Sequence, residues 1–265
     1  MHKPMLTTNN VNKLNVLITR PEKKAQQLAL SLQQQGILCV NQPLFDYHPL
    51  ANANQCKSVL TQVDIVIFVS VAAVEFANKV LSAGNWQYQH IFAVGRATQK
   101  ALEQLGIKKV HVPRQESSEG LLALPLLNDK LSQQQVTIVR GNGGREHLAD
   151  TITSRGASVN YLESYQRVWR TLPKDISKQW YEQEINCIVI TSNAILTKLA
   201  EILAIFDPSS TDTATLHWLN NCTWLVVSTR IAKTAKRLGF KHVFTSSGAS
   251  DEQICLALTT LSSNN

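Results

Sequence analysis

Short apolar runs alternate with amphipathic stretches along most of the 265-residue chain. The runs are rich in β-branched residues and apolar at successive positions, which is typical of strands covered on both faces of a parallel sheet. The stretches between them carry apolar residues at helical spacing, for example Ala25, Leu28, Ala29 and Leu32. This alternation predicts an α/β fold with helices on both faces of parallel sheets. The predicted strands are 16–19, 65–69, 92–94, 136–139, 188–190 and 224–227.

The same succession of segments occurs twice in the chain. The stretches that begin at 16, 64 and 91 have counterparts of similar sequence at 136, 186 and 224, in the same order. Self-similarity in a fixed order is the mark of a repeated structural unit. We therefore expect two doubly wound parallel-sheet lobes of the Rossmann or flavodoxin-like type.

Polar residues follow each predicted strand. Ligands of doubly wound sheets bind beyond the carboxyl ends of the strands, where helix N-termini point. A single Ser, Thr or Asn there is more commonly an N-cap, which stabilises a helix by about 1 kcal/mol. Capping does not explain the arginines among them, so we expect two lobes that present an anion-binding cradle across one cleft. The loops concerned are 19–21, 70, 95–98, 117–118, 140–145, 191–193, 228–230 and 246–250.

Charge and cysteine usage narrow the class of protein. Lys and Arg number 26 against 19 Asp and Glu, a net charge of +7 that favours an anionic partner. The basic residues form no long run, which argues against a nucleic-acid-binding tail. The five cysteines are scattered and never form a C-x-x-C pair, which argues for reduced thiols and against a disulfide framework or a zinc site.

No targeting or membrane segment is recognisable in the sequence. The first twelve residues lack the apolar stretch of a secretory signal, and the longest apolar run, 65–74, is too short to span a bilayer. We therefore expect a cytoplasmic protein that binds neither membranes nor nucleic acid.

Eight stretches of the sequence, taken together and in order, resemble a known protein family. The chain is similar to the uroporphyrinogen-III synthase family from about residue 14 to residue 260. One stretch departs from the family pattern, because this chain has Val69, Ser70 and Val71 where the family often has Thr-Ser followed by Asn-Ala. The matching stretches are 16–21, 70–76, 93–98, 117–121, 140–145, 162–167, 191–194 and 228–232.

The resemblance implies a particular exchange between the two lobes. The first β-α unit of the family packs with the C-terminal half of the chain. One lobe is then 13–36 plus 172–265, and the other is 43–160. A two-stranded β connector at 37–42 and 161–171 would join them.

The resemblance also implies the reaction. The family cyclises hydroxymethylbilane, an open-chain tetrapyrrole with acetate and propionate arms, to uroporphyrinogen III. Loss of the ring-A hydroxyl as water gives an electrophilic azafulvene, and closure through a spiro intermediate inverts ring D. Without enzyme the same electrophile closes to the type I isomer. No cofactor or metal is needed, the upstream synthase that supplies the substrate is a candidate partner, and we expect a monomer.

The family motifs place candidate site residues in this chain. Tyr165 matches the family tyrosine, and a phenol, which is protonated at neutral pH, is suited to help the hydroxyl leave as water. The remaining matches are candidates for binding the substrate through amide, hydroxyl and guanidinium donors. They are Arg20, Ser70, Val71, Ala72, Gly95, Arg96, Thr98, Ser118, Arg140, Gly141, Gly144, Arg145, Thr191, Ser192, Asn193, Ser228, Arg230 and Ile231.

Two other classes of protein remain open from the residues alone. A two-lobed protein that binds an anion without chemistry would show the same duplicated lobes. An enzyme that handles nucleotides or sugar phosphates would need a phosphate loop or an acidic metal pair, and neither pattern occurs in the sequence.

Overall fold

The structure is a computed structural model, and it describes residues 13–144, 146–203 and 213–263. The chain divides into two compact units. The first unit comprises Met1–Asp46 and Trp169–Asn265, and the second unit comprises Tyr47–Val168. Each unit contains one five-stranded sheet.

Strands and helices alternate through most of the described chain. The strands are β1 (Asn15–Ile18), β2 (Leu38–Asn41), β3 (Phe45–Pro49), β4 (Val63–Phe68), β5 (Tyr88–Ala93), β6 (Gln135–Gly141), β7 (Ser158–Trp169), β8 (Cys187–Ile190), β9 (Thr223–Val226) and β10 (His242–Thr245). The helices are α1 (Glu22–Gln34), α2 (Ala53–Leu60), α3 (Val71–Val80), α4 (Arg96–Gln104), α5 (Ser118–Leu122), α6 (Pro125–Asn128), α7 (His147–Ser154), α8 (Ile176–Glu182), α9 (Asn193–Ile202), α10 (Thr213–Asn221), α11 (Thr229–Arg237) and α12 (Asp251–Ser263).

The sheet of the first unit has the strand order β10-β9-β8-β1-β2 and is parallel throughout. Val16 and Ile18 of β1 pack with the apolar stripes of α1 and α12 on one face. Leu17, which points to the other face, is also fully buried. Burial on both faces explains the continuous apolar runs of the inner strands, such as 16–18 in β1 and Cys187–Ile190 in β8.

The sheet of the second unit has the order β3-β7-β6-β4-β5. Strands β7, β6, β4 and β5 are parallel. One core covers the face that carries α2, α3 and α4, and a second core covers the face that carries α5, α6 and α7. The α/β fold with parallel sheets that the hydrophobic pattern predicts is confirmed.

The edge strand β3 runs antiparallel to β7. The Leu50 N–H donates to the Ser164 carbonyl at 3.1 Å, and the Arg170 N–H donates to the Leu44 carbonyl at 2.9 Å. The partners therefore run in opposite directions along the two strands. Residues 45–49 lack the continuous apolar run seen in strands such as β8, so the hydrophobic pattern does not predict this strand.

The internal repeat corresponds to equivalent positions in the two sheets. Strand β1 lies between β2 and β8, and its counterpart β6 lies between β7 and β4. Strand β9 lies beyond β8, as β5 lies beyond β4. The strands paired by sequence similarity therefore occupy the same places in the two sheet orders.

The division of the chain differs in detail from the one that the resemblance implies. Residues 38–41, which the resemblance places in the connector, form β2 and pair along their whole length with β1. The chain passes from one unit to the other between Asp46 and Tyr47, within β3, and between Val168 and Trp169, within β7. Among the described helices, none has the length and apolar character needed to cross a bilayer.

Candidate active site

Ser70 begins α3 at the carboxyl end of β4. Its backbone is extended, and its Oγ accepts a hydrogen bond from the Ala73 N–H at 3.1 Å. This is the geometry of a helix N-cap, in which the side chain satisfies one of the free N–H groups of the first turn. Ser70 therefore lies at the positive end of the α3 dipole.

The Tyr165 phenol reaches this helix end from β7. Its hydroxyl oxygen lies 3.2 Å from the Ser70 Oγ, and either hydroxyl can be the donor. Because the Ser70 oxygen already accepts from Ala73, its own hydrogen is available to the Tyr165 oxygen. The structure thus joins the predicted acid to the N-terminus of α3.

A β-bulge between β6 and β7 turns Tyr165 toward Ser70. Arg140 is paired with Glu163, but the next residue, Gly141, is paired with Tyr165, so β7 holds one extra residue. The extra residue, Ser164, is fully buried and its hydroxyl lies 3.3 Å from the carbonyl oxygens of Ala73 and Arg140. This buried hydroxyl ties the bulge to both α3 and β6.

Gly141 allows the Tyr165 ring to lie against the backbone of β6. A Cβ built at Gly141 would lie 2.6 Å from the Tyr165 Cζ, well inside van der Waals contact. The resemblance implies a substrate contact at Gly141, which stays a prediction. The structure adds a packing requirement that a side chain at this position would violate.

The predicted anion-binding loop 140–145 is occupied by a carboxylate of the protein itself. Glu163 accepts from the Gly143 N–H at 3.1 Å, from the Asn142 Nδ2 at 2.7 Å and from the Arg140 Nη2 at 3.3 Å. Binding of substrate by Arg140 and Gly144 stays a prediction, and Arg145 lies outside the described residues.

Arg140 has further partners within the second unit. Its guanidinium lies over the Tyr161 ring, 3.6 Å from the centroid, and its Nη1 lies 3.0 Å from the Glu146 carboxylate. Tyr161 in turn donates a short hydrogen bond to Glu146. Arg140 thus joins β6 to the segment that leads into α7.

These contacts shift the pKa values of the groups around Arg140. Burial alone would raise the pKa of Glu163, but the bonds from Gly143, Asn142 and Arg140 outweigh it and hold that pKa below its usual range. The Tyr161 hydroxyl and Arg140 likewise lower the pKa of Glu146. Burial and the bond to Glu146 raise the pKa of Tyr161 to about 12.

We expect Glu163→Gln to lower the melting temperature at pH 7, and we expect this loss to shrink in acid. A carboxylate with a depressed folded pKa stabilises the protein above its unfolded pKa, about 4.3, and the contribution is lost as the pH falls through the folded value. Thermal unfolding of both proteins between pH 7 and pH 3 measures the difference. Glu103→Gln, at an exposed position of α4, is the control. A difference that is constant over this range would contradict the ion-pair assignment.

The other candidates of the second unit cluster at helix starts. Val71 and Ala72 form the first turn of α3, and Gly95 and Arg96 begin α4, where Arg96 is exposed. Thr98 is only 5% exposed, so its side chain is not available at the surface. Ser118 is the first residue of α5, whose cap is Ser117.

The candidates of the first unit lie at one edge of its sheet. They follow β1, β8 and β9, which are neighbours, so their carboxyl ends meet. Ser192 and Ser228 cap α9 and α11, and Ser228 accepts from the Ile231 N–H. Ile231 is 2% exposed. The candidates that this edge brings together are Arg20, Thr191, Ser192, Asn193, Ser228, Arg230 and Ile231.

Two of these side chains have distinctive surroundings. Arg20 is 8% exposed and forms a short ion pair with Asp251 at the start of α12, so its guanidinium is held by the protein. The Asn193 Oδ1 is buried and has no hydrogen-bond partner among the described residues. A buried acceptor without a donor is uncommon in folded proteins, and contact of Asn193 with the substrate stays a prediction. Arg230 is exposed.

Sequence reasoning misses two residues that contact the predicted loop or Tyr165. Glu163 lies in the matching stretch 162–167, but its contact with Arg140 follows from the pairing of β6 with β7, which no local pattern reveals. Tyr47 packs against Tyr165 from β3, with ring centroids 4.8 Å apart. Because β3 itself carries no clear strand pattern, no sequence signal indicates this contact.

Comparison with known proteins identifies relatives over nearly the whole chain. The profile of the family described as "Uroporphyrinogen-III synthase HemD" matches residues 26–255. The uroporphyrinogen-III synthase of Escherichia coli is 31% identical over 92% of this chain and 100% of its own length. The corresponding protein of Salmonella typhimurium is 32% identical over the same shares.

Solved structures of similar fold carry the same description. A mutant uroporphyrinogen III synthase of Thermus thermophilus superposes with a TM-score of 0.58, at 15% identity, over 95% of this chain and 99% of its own. The Helicobacter pylori uroporphyrinogen-III synthetase gives a TM-score of 0.57, at 16% identity, over 94% and 99%. These two structural matches support the fold alone. The family profile and the sequence relatives match most of the chain in sequence, and they support membership of the family. The chain belongs to the uroporphyrinogen-III synthase family.

Proposed function

We propose that this chain cyclises hydroxymethylbilane to uroporphyrinogen III in tetrapyrrole biosynthesis, with loss of water and inversion of ring D. Membership of the family supports the overall reaction. The observation that carries the assignment of its acid is the 3.2 Å contact between the Tyr165 and Ser70 hydroxyls. It puts a proton donor beside a helix N-terminus at the ligand-binding edge of a parallel sheet.

Tyr165 assists departure of the ring-A hydroxyl. The phenol donates its proton to the hydroxyl oxygen as the C–O bond breaks and water leaves, and the nitrogen lone pair of the pyrrole stabilises the resulting cation, which is the N-protonated azafulvene. Negative charge that develops on the Tyr165 oxygen is stabilised by the Ser70 hydroxyl, which itself accepts from the Ala73 N–H. A preformed donor pointed at a developing charge is the usual way in which enzymes lower such a barrier. The phenolate regains a proton when ring closure releases one from the macrocycle.

Orientation of the substrate contributes more than acid catalysis. Holding the reacting carbons together can supply about 7–11 kcal/mol of the barrier. Each helix N-terminus stabilises a carboxylate by about 0.3–1 kcal/mol, so several weak contacts suit a ligand with many acidic arms. We assign carboxylate contacts to the exposed Arg96 and Arg230 and a contact with a pyrrole N–H to the buried Asn193 oxygen.

We infer that the antiparallel pair of β3 and β7 is the connector between the lobes. The support is that both passages of the chain between the two units lie within these strands. The lobe boundaries 13–36 with 172–265 and 43–160 remain predictions of the resemblance. A monomeric state and contact with the upstream synthase also remain predictions.

The test is to add the purified chain to freshly prepared hydroxymethylbilane and to separate the products after oxidation. The proposal requires faster consumption than in buffer and mostly type III product. A protein that binds the anion without chemistry would slow or leave unchanged the formation of type I. Excess type I, as in buffer alone, would refute the proposal.

A further inference from the structure

The Tyr165 ring is enclosed on several sides within the second unit. Tyr47 meets it edge to face, with centroids 4.8 Å apart and planes at 81°. Phe76 of α3 lies 5.7 Å away at 33°. The backbone of Gly141 lies against the ring near Cζ. These contacts leave the ring little freedom to rotate, and the hydroxyl is held at Ser70.

We propose that Tyr47 is a positioning residue for the Tyr165 phenol. Its ring holds Tyr165 in the orientation that brings the phenol oxygen to Ser70 and leaves the phenol proton for the substrate. This inference rests on the proposed function and deepens it, because it assigns a residue that acts through the catalytic group. Tyr47 acts only through its packing against Tyr165, so it is not a catalytic residue.

Tyr47 also has a charged neighbour on β7. The Arg167 side chain, two residues beyond Tyr165, interacts with the Tyr47 hydroxyl and acts to lower its pKa. Burial, followed by the neighbouring Tyr165, raises the pKa of Tyr47, so this hydroxyl stays neutral. The contact between rings is edge to face, an arrangement that aromatic pairs prefer. The ring itself, with or without its hydroxyl, can restrain its neighbour, whereas an aliphatic side chain would leave a gap.

The sharpest test is a double-mutant cycle of Tyr47 with Tyr165. We expect Tyr47→Leu to lower kcat for type III formation about 10-fold with KM nearly unchanged, because a misplaced group loses orientation. In the Tyr165→Phe background, the same substitution should cause no further loss. Tyr47→Phe, which keeps the ring and removes the hydroxyl, should retain most of the activity. An equal fold-loss in both backgrounds, or no loss in either, would overturn the proposal.

A second measurement does not depend on activity. The flip rate of the Tyr165 ring can be followed by NMR of the chain with ring-labelled tyrosine, assigned by comparison with Tyr165→Phe. We expect faster flipping in Tyr47→Leu and an unchanged rate in Tyr47→Phe. If Tyr47→Leu fails to fold, Tyr47→Met replaces it. Unchanged flipping refutes the positioning role, whereas a wild-type chain that makes no type III product refutes the proposed function alone.

Discussion

Tyr165→Phe should lower kcat for type III formation about 10- to 100-fold and leave KM nearly unchanged. The change removes only the hydroxyl, so the ring still packs on Gly141 and Tyr47. A positioned acid contributes about 10²–10⁴-fold in rate. We expect an effect at or below the lower limit of this range, because the azafulvene also forms without enzyme. Initial rates of type III formation at several substrate concentrations measure the effect.

Tyr181→Phe is the matched control for this substitution. Tyr181 is an exposed tyrosine on α8, in the other unit from Tyr165. Removal of its hydroxyl should change neither the rate of type III formation nor the melting temperature. An unchanged rate in Tyr165→Phe, at an unchanged melting temperature, would rule out the phenol as the acid.

Gly141→Ala should reduce type III formation at least as strongly as Tyr165→Phe, and it should also destabilise the second unit. The new methyl group would lie 2.6 Å from the Tyr165 Cζ, so either the ring or the backbone of β6 must move. Overpacking of this kind costs about 1–3 kcal/mol. Displacement of the ring also breaks the hydroxyl contact with Ser70. Rates and chemical denaturation of the same preparation measure the two effects.

Gly84→Ala is the control for this substitution. It separates the effect of a methyl group at Gly141 from the general effect of replacing a glycine. Gly84 lies in a short helical turn, Ala83–Asn85, and a Cβ there would meet no atom within 4 Å. We expect wild-type rates and stability for this variant. If Gly141→Ala behaved in the same way, the Tyr165 ring would not pack where the structure places it.

The parallel sheets could be predicted from the sequence because burial on both faces leaves a continuous apolar run. Residues 65–69 are such a run, and they lie in and just beyond β4. Strand β3 could not be predicted, because it is an edge strand whose burial falls away from Phe45 to Pro49. Its position is set by its pairing with β7, which is a long-range contact.

The sequence predicts which types of side chain lie near the site, but it does not predict which residues they contact. The sequence pattern predicts Ser70 at the end of a strand, and the structure has it after β4 as the cap of α3. The pattern also predicts that Arg140 meets an anion, and the anion beside it in the structure is Glu163. That pairing follows from the parallel register of β6 and β7, which sets Arg140 opposite Glu163 just before the bulge. A register is a property of two strands together, so neither strand reveals it alone.

The isomer composition formed by Tyr165→Phe tests most directly whether orientation of the substrate controls the reaction. The experiment uses protein in excess over hydroxymethylbilane, so that slow turnover still competes with spontaneous closure. We expect mostly type III product, formed more slowly than by the wild-type chain, because the groups that hold the substrate are intact. Type I product in the proportion found in buffer would contradict control by orientation.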